Sequence, residues 1–531
     1  MSRSDLRPFA ASLPTSQWSK THKALVFGVM AFGQFMALID IQIVAASLNS
    51  IQAGLSASPE EISWVQTAYL MAEIVMIPFA AFLAQALSTR WLFTLSAGLF
   101  TVASALCGLA WDLHSMIVFR AIQGFVGGAM VPTVFATAFM MFTGKDRALA
   151  AAILGIVATL APTLGPTIGG CITDAWHWRW IFFVNIVPGI AVTVASAMLI
   201  RVDSAEPALL SRLDWPHLGA MATFLGGLQY LLEEGPRRGW LGDPQIGAVA
   251  WVSLVAFGLF LERSFYSSEP IVRLGAFRRA NFTLACLFSL VTGVGIYSAT
   301  YLVPVFLGRV RDFNSLQIGV TVFVSGLSMI VSAPLAARLS QRVDPRLVIA
   351  LGLAIFAGAL WMFSGVGPQW GTAEFFWPHI VRGFAGMLCV VPAVSLALSG
   401  FEGRDLQYAS GLFNLMRNLG GAIGIAAVNT SVQDNARWHL ARLSEAMAVH
   451  SRSVLDAMGV LAARADRLTT DSARGLLEAK AQFADLAARH ALTLAFADAF
   501  RGIAWLFLAA LVLVPFCRRP ADEAPREAAG H

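Results

Sequence analysis

Five ionisable residues lie within long apolar stretches of the sequence, where charged side chains are costly and by default mark functional paths. Asp40 and Glu73 are acidic, and Arg120, Arg382 and Arg417 are basic. Asp40 and Arg120 could neutralise each other, and protonation of the carboxylate would then free the arginine. Because such a pair couples a proton to occupancy and conformation, we interpret Asp40, Glu73 and Arg120 as proton-coupling candidates.

The same residues also have plainer interpretations. Asp40 and Arg120 could form a static pair that only holds helices together, and Glu73 could simply line a wet cavity. Arg382 and Arg417 stand near predicted span ends, where a long basic side chain can reach the membrane interface. We include both arginines among the candidates for a substrate cavity.

A second motif is built from small residues and proline. The string APTLGPTIGG at 161–170 contains Gly165, Pro166, Gly169 and Gly170. Small residues four positions apart share one helix face and let a neighbouring helix approach closely, while prolines bend the helix. The motif predicts tight packing that seals the pathway against proton leakage, and generic helix packing is the alternative.

Several other chemistries have no motif in this sequence. A G-x-x-x-x-G-K-[ST] loop is absent, so ATP is not the expected energy source, and an ion gradient takes its place. H-E-x-x-H and G-x-S-x-G are absent as well, which argues against a membrane hydrolase. The five cysteines form no C-x-x-C pair, so no metal or redox cofactor is expected.

Composition identifies the elements that must position these residues. Of 531 residues, 57% are hydrophobic and 13% are charged, whereas soluble proteins carry about 25% charged residues. The chain is therefore predicted to be an all-α polytopic membrane protein. Runs of about 20 apolar residues predict fourteen transmembrane helices, near 24–48, 62–86, 91–110, 115–140, 148–173, 179–200, 216–233, 245–262, 281–306, 316–338, 346–366, 373–399, 409–432 and 496–517.

An even number of spans places both termini on one side of the membrane. Lys and Arg are several times more frequent in the loops on that side, so the positive-inside rule predicts that both termini are cytoplasmic. Residues 1–23 then form a cytoplasmic segment before a first span, not a cleaved signal peptide, and 518–531 form a cytoplasmic tail. The net charge of +5 reflects the same bias, so the expected partner is the lipid bilayer and not nucleic acid.

One long polar segment interrupts the spans, at 433–495. Its apolar residues have helical spacing, which predicts one or two amphipathic helices in an extracytoplasmic loop. The loop could lie solvated on the membrane surface or provide a docking surface for a partner.

An internal repeat divides the chain. LAQALSTR at 83–90 resembles LAARLSQR at 335–342, and RAIQG at 120–124 corresponds to RGFAG at 382–386. Similar offsets near half the chain length predict two homologous halves with a site between them, as in secondary transporters. The halves are 24–200 and 281–517, and 201–280 holds two additional helices between them.

Taken together, these motifs resemble the major facilitator superfamily, and within it the fourteen-span drug:proton antiporters of the EmrB/QacA type. The resemblance is carried by LIDIQIVAASLNSI (38–51), SWVQTAYLMAEIVMIP (63–78), VFRAIQGFVGGAMVP (118–132), LAPTLGPTIGG (160–170), WHWRWIFFVNIVPG (176–189) and GLFNLMRNLGGAIGIA (411–426). It implies the major facilitator fold, with two six-helix halves plus two extra central helices.

The resemblance also implies roles for single residues. Asp40 matches the first-span acidic motif, and Arg120, Gln123 and Gly124 match the fourth-span proton-relay motif. The glycines and proline of 165–170 match the antiporter motif. The long loop before the last span looks like that of EmrB, whose type works with a periplasmic adaptor and an outer-membrane channel.

One departure concerns the loop between the second and third spans. The family usually carries an Asp there, in a G-x-L-A-D-R-x-G-R-K pattern, whereas this chain reads AFLAQALSTR with Gln85 at that position. The cytoplasmic gate formed by that Asp is therefore not expected in its usual form.

The expected function is proton-coupled export of lipophilic or amphipathic drugs and toxic compounds across the inner membrane by alternating access. The alternatives are a dedicated exporter of one metabolite, such as a fatty acid or a siderophore, and a non-transporting receptor or enzyme on the same fold. Polar groups in an adaptable apolar cavity would contact substrate, and ordinary helix packing is their alternative role. The candidates are Gln34, Gln42, Gln66, Tyr69, Gln123, Tyr297 and Tyr301, together with Arg382 and Arg417.

Overall fold

Long apolar runs separated by short polar turns form helices, because a backbone in lipid must satisfy its own hydrogen bonds. The computed structural model describes residues 18–58, 61–267, 270–448 and 472–517, and helices are the only regular elements among them. This confirms the predicted all-α class. The first half contains α1 Lys20–Ala46, α2 Leu48–Leu55, α3 Trp64–Leu87, α4 Thr89–Gly108, α5 Leu113–Gly127, α6 Met130–Met141, α7 Gly144–Ala175, α8 Trp180–Phe183 and α9 Ile186–Leu199.

The rest of the chain continues the same pattern of long helices. The two extra helices are α10 Trp215–Arg238 and α11 Pro244–Tyr266. The second half contains α12 Ala280–Val310, α13 Ser315–Arg342, α14 Pro345–Phe363, α15 Thr372–Leu398, α16 Gly403–Ala448 and α17 Ser472–Leu511.

Within the described residues, twelve helices are long and apolar enough to cross a membrane, with α5–α6 and α8–α9 each counted as one. The remaining two predicted spans, the fifth and the seventh, are also helical, as α7 and α10. Each of the fourteen predicted spans thus coincides with a helix. That all fourteen cross the membrane stays a prediction.

In the structure, the helices on both sides of the predicted loop at 433–495 extend into it. Residues 433–448 continue α16, which is 46 residues long, and 472–495 belong to α17, which is 40 residues long. No Gly or Pro interrupts 425–448 or 476–501, so nothing in these sequences stops either helix at a membrane boundary. Residues 449–471 lie outside the described part of the chain.

The two halves meet along five long helices. Helix α7 packs against α13 and α15, and α3 packs against α16. The extra helix α10 packs against α11 and also against α3 and α16. It therefore touches both halves and lies close to the space between them.

At one end of the bundle, polar contacts join the halves. Gln407 Nε2 donates to Asp203 Oδ2 at 3.2 Å, and Arg404 forms an ion pair with Glu206. Asp203 and Glu206 follow α9, and they bond to Thr89 and to the Gln85 backbone oxygen of the first half. These contacts therefore link that half to α16, and we call this end the closed end.

Candidate functional site

A buried polar cluster surrounds Asp40 on α1. Arg120 Nη1 donates to Asp40 Oδ2 at 2.6 Å, and both side chains are fully buried. Gln123 Nε2 and Asn185 Nδ2 donate to Asp40 Oδ1 at 3.1 Å and 2.8 Å. One carboxylate thus accepts hydrogen bonds from α5 and from the residue that caps α9.

The guanidinium of Arg120 has further contacts. Its Nη1 also donates to Gln123 Oε1 at 2.8 Å, and its Nε donates to the backbone oxygen of Val65 at 3.2 Å. The group lies 4.2 Å from the ring centroid of Tyr69. Its Nη2 is buried and has no hydrogen-bond partner among the described residues, so the arginine has a donor left for another group.

This geometry suits a proton switch. A buried ion pair is balanced against the cost of removing both charges from water, and loss of one charge leaves the other uncompensated. Protonation of Asp40 would leave Arg120 as a buried cation with only neutral partners. The ionised and the protonated carboxyl would therefore favour different contacts between α1 and α5.

A central cavity lies between the halves beside this cluster. Its walls come from α1, α3 and α7 of the first half, from α10, and from α12 and α16 of the second half. Four residues singled out from the sequence line it: Gln42, Gln66, Glu73 and Tyr297. Glu73 is 6% exposed.

Three other candidates lie away from the cavity in the first half. Gln123 and Tyr69 belong to the Asp40 cluster. Gln34 is fully buried on α1, and neither of its amide atoms has a partner in the described part of the chain. None of the three lines the cavity.

The second-half candidates other than Tyr297 also do not line the cavity. Arg382 is 5% exposed and donates to Ser325 Oγ at 2.6 Å. Arg417 is equally buried, donates to Asn414 Oδ1 at 2.8 Å and lies over Phe135. Tyr301, one turn after Tyr297, is half-buried.

The glycines of the 161–170 motif bring α7 onto α1. A Cβ added at Gly165 would lie 2.2 Å from Gln42 Cβ, and one at Gly169 would lie 2.9 Å from the backbone oxygen of Ile43. Gly170 is buried, and the side chain of Pro166 lies outside the described part. The close approach fixes the α1 turn that follows Asp40.

Among the polar side chains of the site that were not singled out from the sequence are Asn185, Glu233 and Gln229. Asn185 binds Asp40 but is a neutral residue within an apolar span, so no charge marked it. Glu233 and its neighbour Gln229 on α10 line the cavity. Glu233 stands at the end of a predicted span, before EGPRR, where a carboxylate is ordinarily solvent-exposed.

The closed end contains an acidic residue near the position where Gln85 replaces the family's Asp. Gln85 Nε2 donates to the backbone oxygen of Ala81, on its own helix, at 3.3 Å. Asp203 accepts hydrogen bonds from the backbone N–H and the hydroxyl of Thr89 at 2.8 Å and 2.6 Å, and from Gln407. Burial nevertheless raises the pKa of Asp203 above its usual value. A loop carboxylate thus occupies the N-terminus of α4 and reaches the other half.

Comparison with known proteins agrees with this architecture. The model of the Major Facilitator Superfamily matches residues 30–425. The colistin resistance protein EmrB of Acinetobacter baumannii is 40% identical over 422 residues, which cover 80% of this chain and 82% of that protein. The multidrug export protein EmrB of Escherichia coli K12 is 27% identical over 419 residues, with coverage of 79% and 82%.

Two further similarities bear on substrate and fold. The fatty acid resistance protein FarB of Neisseria gonorrhoeae is 28% identical over 422 residues, covering 79% of this chain and 83% of FarB. The crystal structure of the human organic anion transporter MFSD10 (TETRAN) superposes with a TM-score of 0.58 at 14% identity, covering 93% of this chain and 99% of that one. At this identity the likeness concerns the fold alone.

Proposed function

Because this chain belongs to the major facilitator superfamily, we propose that it is a proton-coupled antiporter that exports lipophilic or amphipathic drugs and toxic compounds across the inner membrane. Relatives named for multidrug export and colistin resistance support this assignment. The proton gradient supplies the energy, and alternating access between the two halves moves the substrate.

One observation carries the proposal. Leu38, Ile41 and Gln42 line the central cavity, whereas the carboxylate of Asp40, between them on α1, bonds to Arg120 and Asn185. A single helical turn therefore presents a protonatable group to one side and the cavity wall to the other. A proton on Asp40 can change the cavity through α1 without occupying it.

The order of events follows from charge balance. In the ionised state Asp40 holds α5 and the start of α9 to α1. Protonation weakens these bonds and leaves the Arg120 guanidinium without a charged acceptor. This favours a different packing of α1, α5 and α9 within the first half. Release of the proton on the other side restores the cluster, so each conformational cycle carries a proton.

The orientation is part of the proposal. The closed end faces the cytoplasm together with both termini, and the central cavity opens toward the extracytoplasmic side. Helix α16 starts at the closed end and runs away from it, so the described residues 433–448 and 472–495 lie on the extracytoplasmic side. This placement suits docking of a periplasmic adaptor that leads to an outer-membrane channel.

Export of a fatty acid is the second candidate because of the similarity to FarB. The cavity disfavours it, since two carboxylates, Glu73 and Glu233, line its wall and would repel a third.

Transport in inverted membrane vesicles tests the proposal. We expect an imposed proton gradient, acidic inside, to drive accumulation of drugs such as ethidium, and an uncoupler to abolish it. If the proton gradient does not change the accumulation of any compound in a broad lipophilic panel, proton antiport is contradicted.

A further inference from the structure

Two carboxylates line the central cavity without a protein partner. Among the described residues, neither Glu73 on α3 nor Glu233 on α10 forms a hydrogen bond or an ion pair. Glu73 is more than nine-tenths buried, and both side chains line the cavity. A buried carboxylate with no partner is costly unless it takes up a proton or a cationic ligand.

The cations near each carboxylate are already engaged. Arg237 lies within electrostatic range of Glu233 but is paired with Glu234. Arg120 and Arg417 lie within electrostatic range of Glu73, but Arg120 is bonded to Asp40, and Arg417 is bonded to Asn414. No Lys, Arg or His stands among the described residues that line the cavity. For each of these two carboxylates, the nearest unpaired counter-ion would therefore be a cationic group that enters the cavity.

On α10, two adjacent glutamates have different surroundings. Glu234 accepts a hydrogen bond from Ser63 Oγ at 3.0 Å and lies 3.6 Å from both Arg237 and Arg238. Glu233 points instead to the cavity. The pairing of Glu234 leaves the charge of Glu233 available to a ligand.

The two cavity carboxylates lie at different depths. Trp64, at the start of α3, stacks on Tyr230 of α10 with ring centroids 5.5 Å apart, so Glu233 stands near the level of the first turn of α3. Glu73 lies nine residues further along α3, or about 13 Å deeper at 1.5 Å per residue. The acidic groups thus mark the deep end and the mouth of one path.

Aromatic side chains accompany both carboxylates. Tyr297 lies within electrostatic range of Glu73, and Tyr301, one helical turn later on α12, lies within range of Glu233. Tyrosine rings attract cations through their negative faces. Of the two tyrosines Tyr297 lines the cavity, so a carboxylate and an aromatic ring face an amphipathic cation together at the level of Glu73.

We propose that the central cavity binds amphipathic cations, with Glu73 as the counter-ion at its deep end and Glu233, supplied by the extra helix α10, as the counter-ion near its mouth. A monocation is held at Glu73 and passes Glu233 on the way out. A dication with well-separated charges contacts both. The inference rests on the proposed export function and adds a charge class to it.

Binding to the purified full-length protein tests the inference separately from transport. Tryptophan fluorescence is titrated with pentamidine as a dication, ethidium as a monocation and chloramphenicol as a neutral compound. Glu233→Gln should weaken pentamidine binding at least about tenfold, affect ethidium less and leave chloramphenicol unchanged. Glu73→Gln should weaken both cations.

Two variants control for charge and folding. Glu262→Gln neutralises an exposed carboxylate on α11 and should change no binding curve. Glu233→Asp keeps the charge and should retain most pentamidine affinity, and unchanged chloramphenicol binding shows that each variant is folded. Equal losses for all three compounds, or no loss of cation binding in Glu233→Gln, would overturn the inference.

The outcomes for binding and for transport are distinguishable. If the gradient drives export but Glu233→Gln does not discriminate by charge, the export function stands and the cation site fails. If cations bind as described but no gradient moves them, the cation site stands and the export function fails. Wild-type protein that binds pentamidine no better than chloramphenicol also overturns the cation site.

Discussion

Asp40 Oδ1 accepts a hydrogen bond of 2.8 Å from Asn185 Nδ2. The same amide nitrogen lies 3.1 Å from Ser104 Oγ, so one asparagine ties α1 and α4 together at the start of α9. The amide N–H group of Asn185 donates to the carboxylate of Asp40. At a buried apolar site such a hydrogen bond is electrostatically stronger than it would be in water.

Asn185→Ala should therefore impair coupling more than substrate binding. A hydrogen bond to a charged group contributes about 1.5–3 kcal/mol, so we expect gradient-driven transport to fall about tenfold or more while drug affinity changes little. Transport rates in proteoliposomes and equilibrium binding measure the two quantities. Ser104→Ala removes the neutral partner of Asn185 and the bond from Ser104 Oγ to the Phe182 backbone oxygen at 2.9 Å, but it leaves the bond from Asn185 to Asp40 in place and should cost less. An equal loss in both variants would assign Asn185 a packing role.

The contact of α7 with α1 predicts the effect of one added methyl group. A Cβ at Gly165 would lie 2.2 Å from Gln42 Cβ, whereas one at Gly247 on α11 meets nothing within 4 Å. We expect Gly165→Ala to separate the helices, lower the melting temperature and increase proton leak, at a cost of about 1–3 kcal/mol. Gly247→Ala should be neutral or slightly stabilising. Equal melting temperatures for the two variants would show that α7 adjusts without strain.

Because Asp203 is a buried carboxyl at the closed end, we predict that the stability of the closed-end contacts depends on pH. Burial raises its pKa when the halves are closed, so closure favours the protonated carboxyl. The closed contact is then most stable at low pH and weakens as the pH rises through the raised pKa. Spin labels at Lys145 and Gln341, whose side chain reaches the Lys145 carbonyl at 3.4 Å, would report this opening in a background without native cysteines.

Asp203→Asn cannot ionise and should remove that pH dependence. Asp405→Asn is a suitable control, because Asp405 is exposed at the start of α16 and its ion pair with Arg273 is at the surface. If the distance between the labels at Lys145 and Gln341 shifts with pH in Asp203→Asn as it does in wild type, Asp203 is excluded as the titrating group.

Deletion of 440–490 tests the proposed docking of an adaptor. The removed segment carries the outer ends of α16 and α17, beyond the His439–Asp498 contact at 2.7 Å. We expect loss of drug resistance in cells with transport in vesicles preserved. Loss of transport in vesicles as well would show that the segment serves the transporter itself.

Sequence analysis singled out Asp40 and Arg120 and the cavity-lining Gln42, Gln66, Glu73 and Tyr297, but it did not single out Asn185 or Glu233. Asp40 and Arg120 could be identified because ionisable residues in apolar runs are rare and conspicuous. Asn185 carries no charge, so its bond to Asp40, 145 positions earlier, became visible only in the folded chain. Glu233 stood next to charged residues at a span end and was indistinguishable from a solvent-exposed group.

The fold was predictable for a similar reason. Span positions follow from local hydrophobicity, and each predicted span is helical in the structure. The closed-end contact of Asp203 with Gln407 joins residues 204 positions apart, and no local pattern encodes it. The lengths of α16 and α17 were underestimated because hydropathy marks where a helix leaves lipid, whereas the helix itself continues until a breaker or a cap.

The most direct test of the account compares wild type and Asp40→Asn in proteoliposomes, with a pH-sensitive dye recording proton movement driven by a drug gradient. In wild type, drug flux in one direction should move protons in the other. Asp40→Asn, which keeps the shape of the side chain and cannot take up the proton, should exchange drug for drug across the membrane without moving protons. Drug-driven proton movement at the wild-type rate in Asp40→Asn would contradict proton coupling through Asp40.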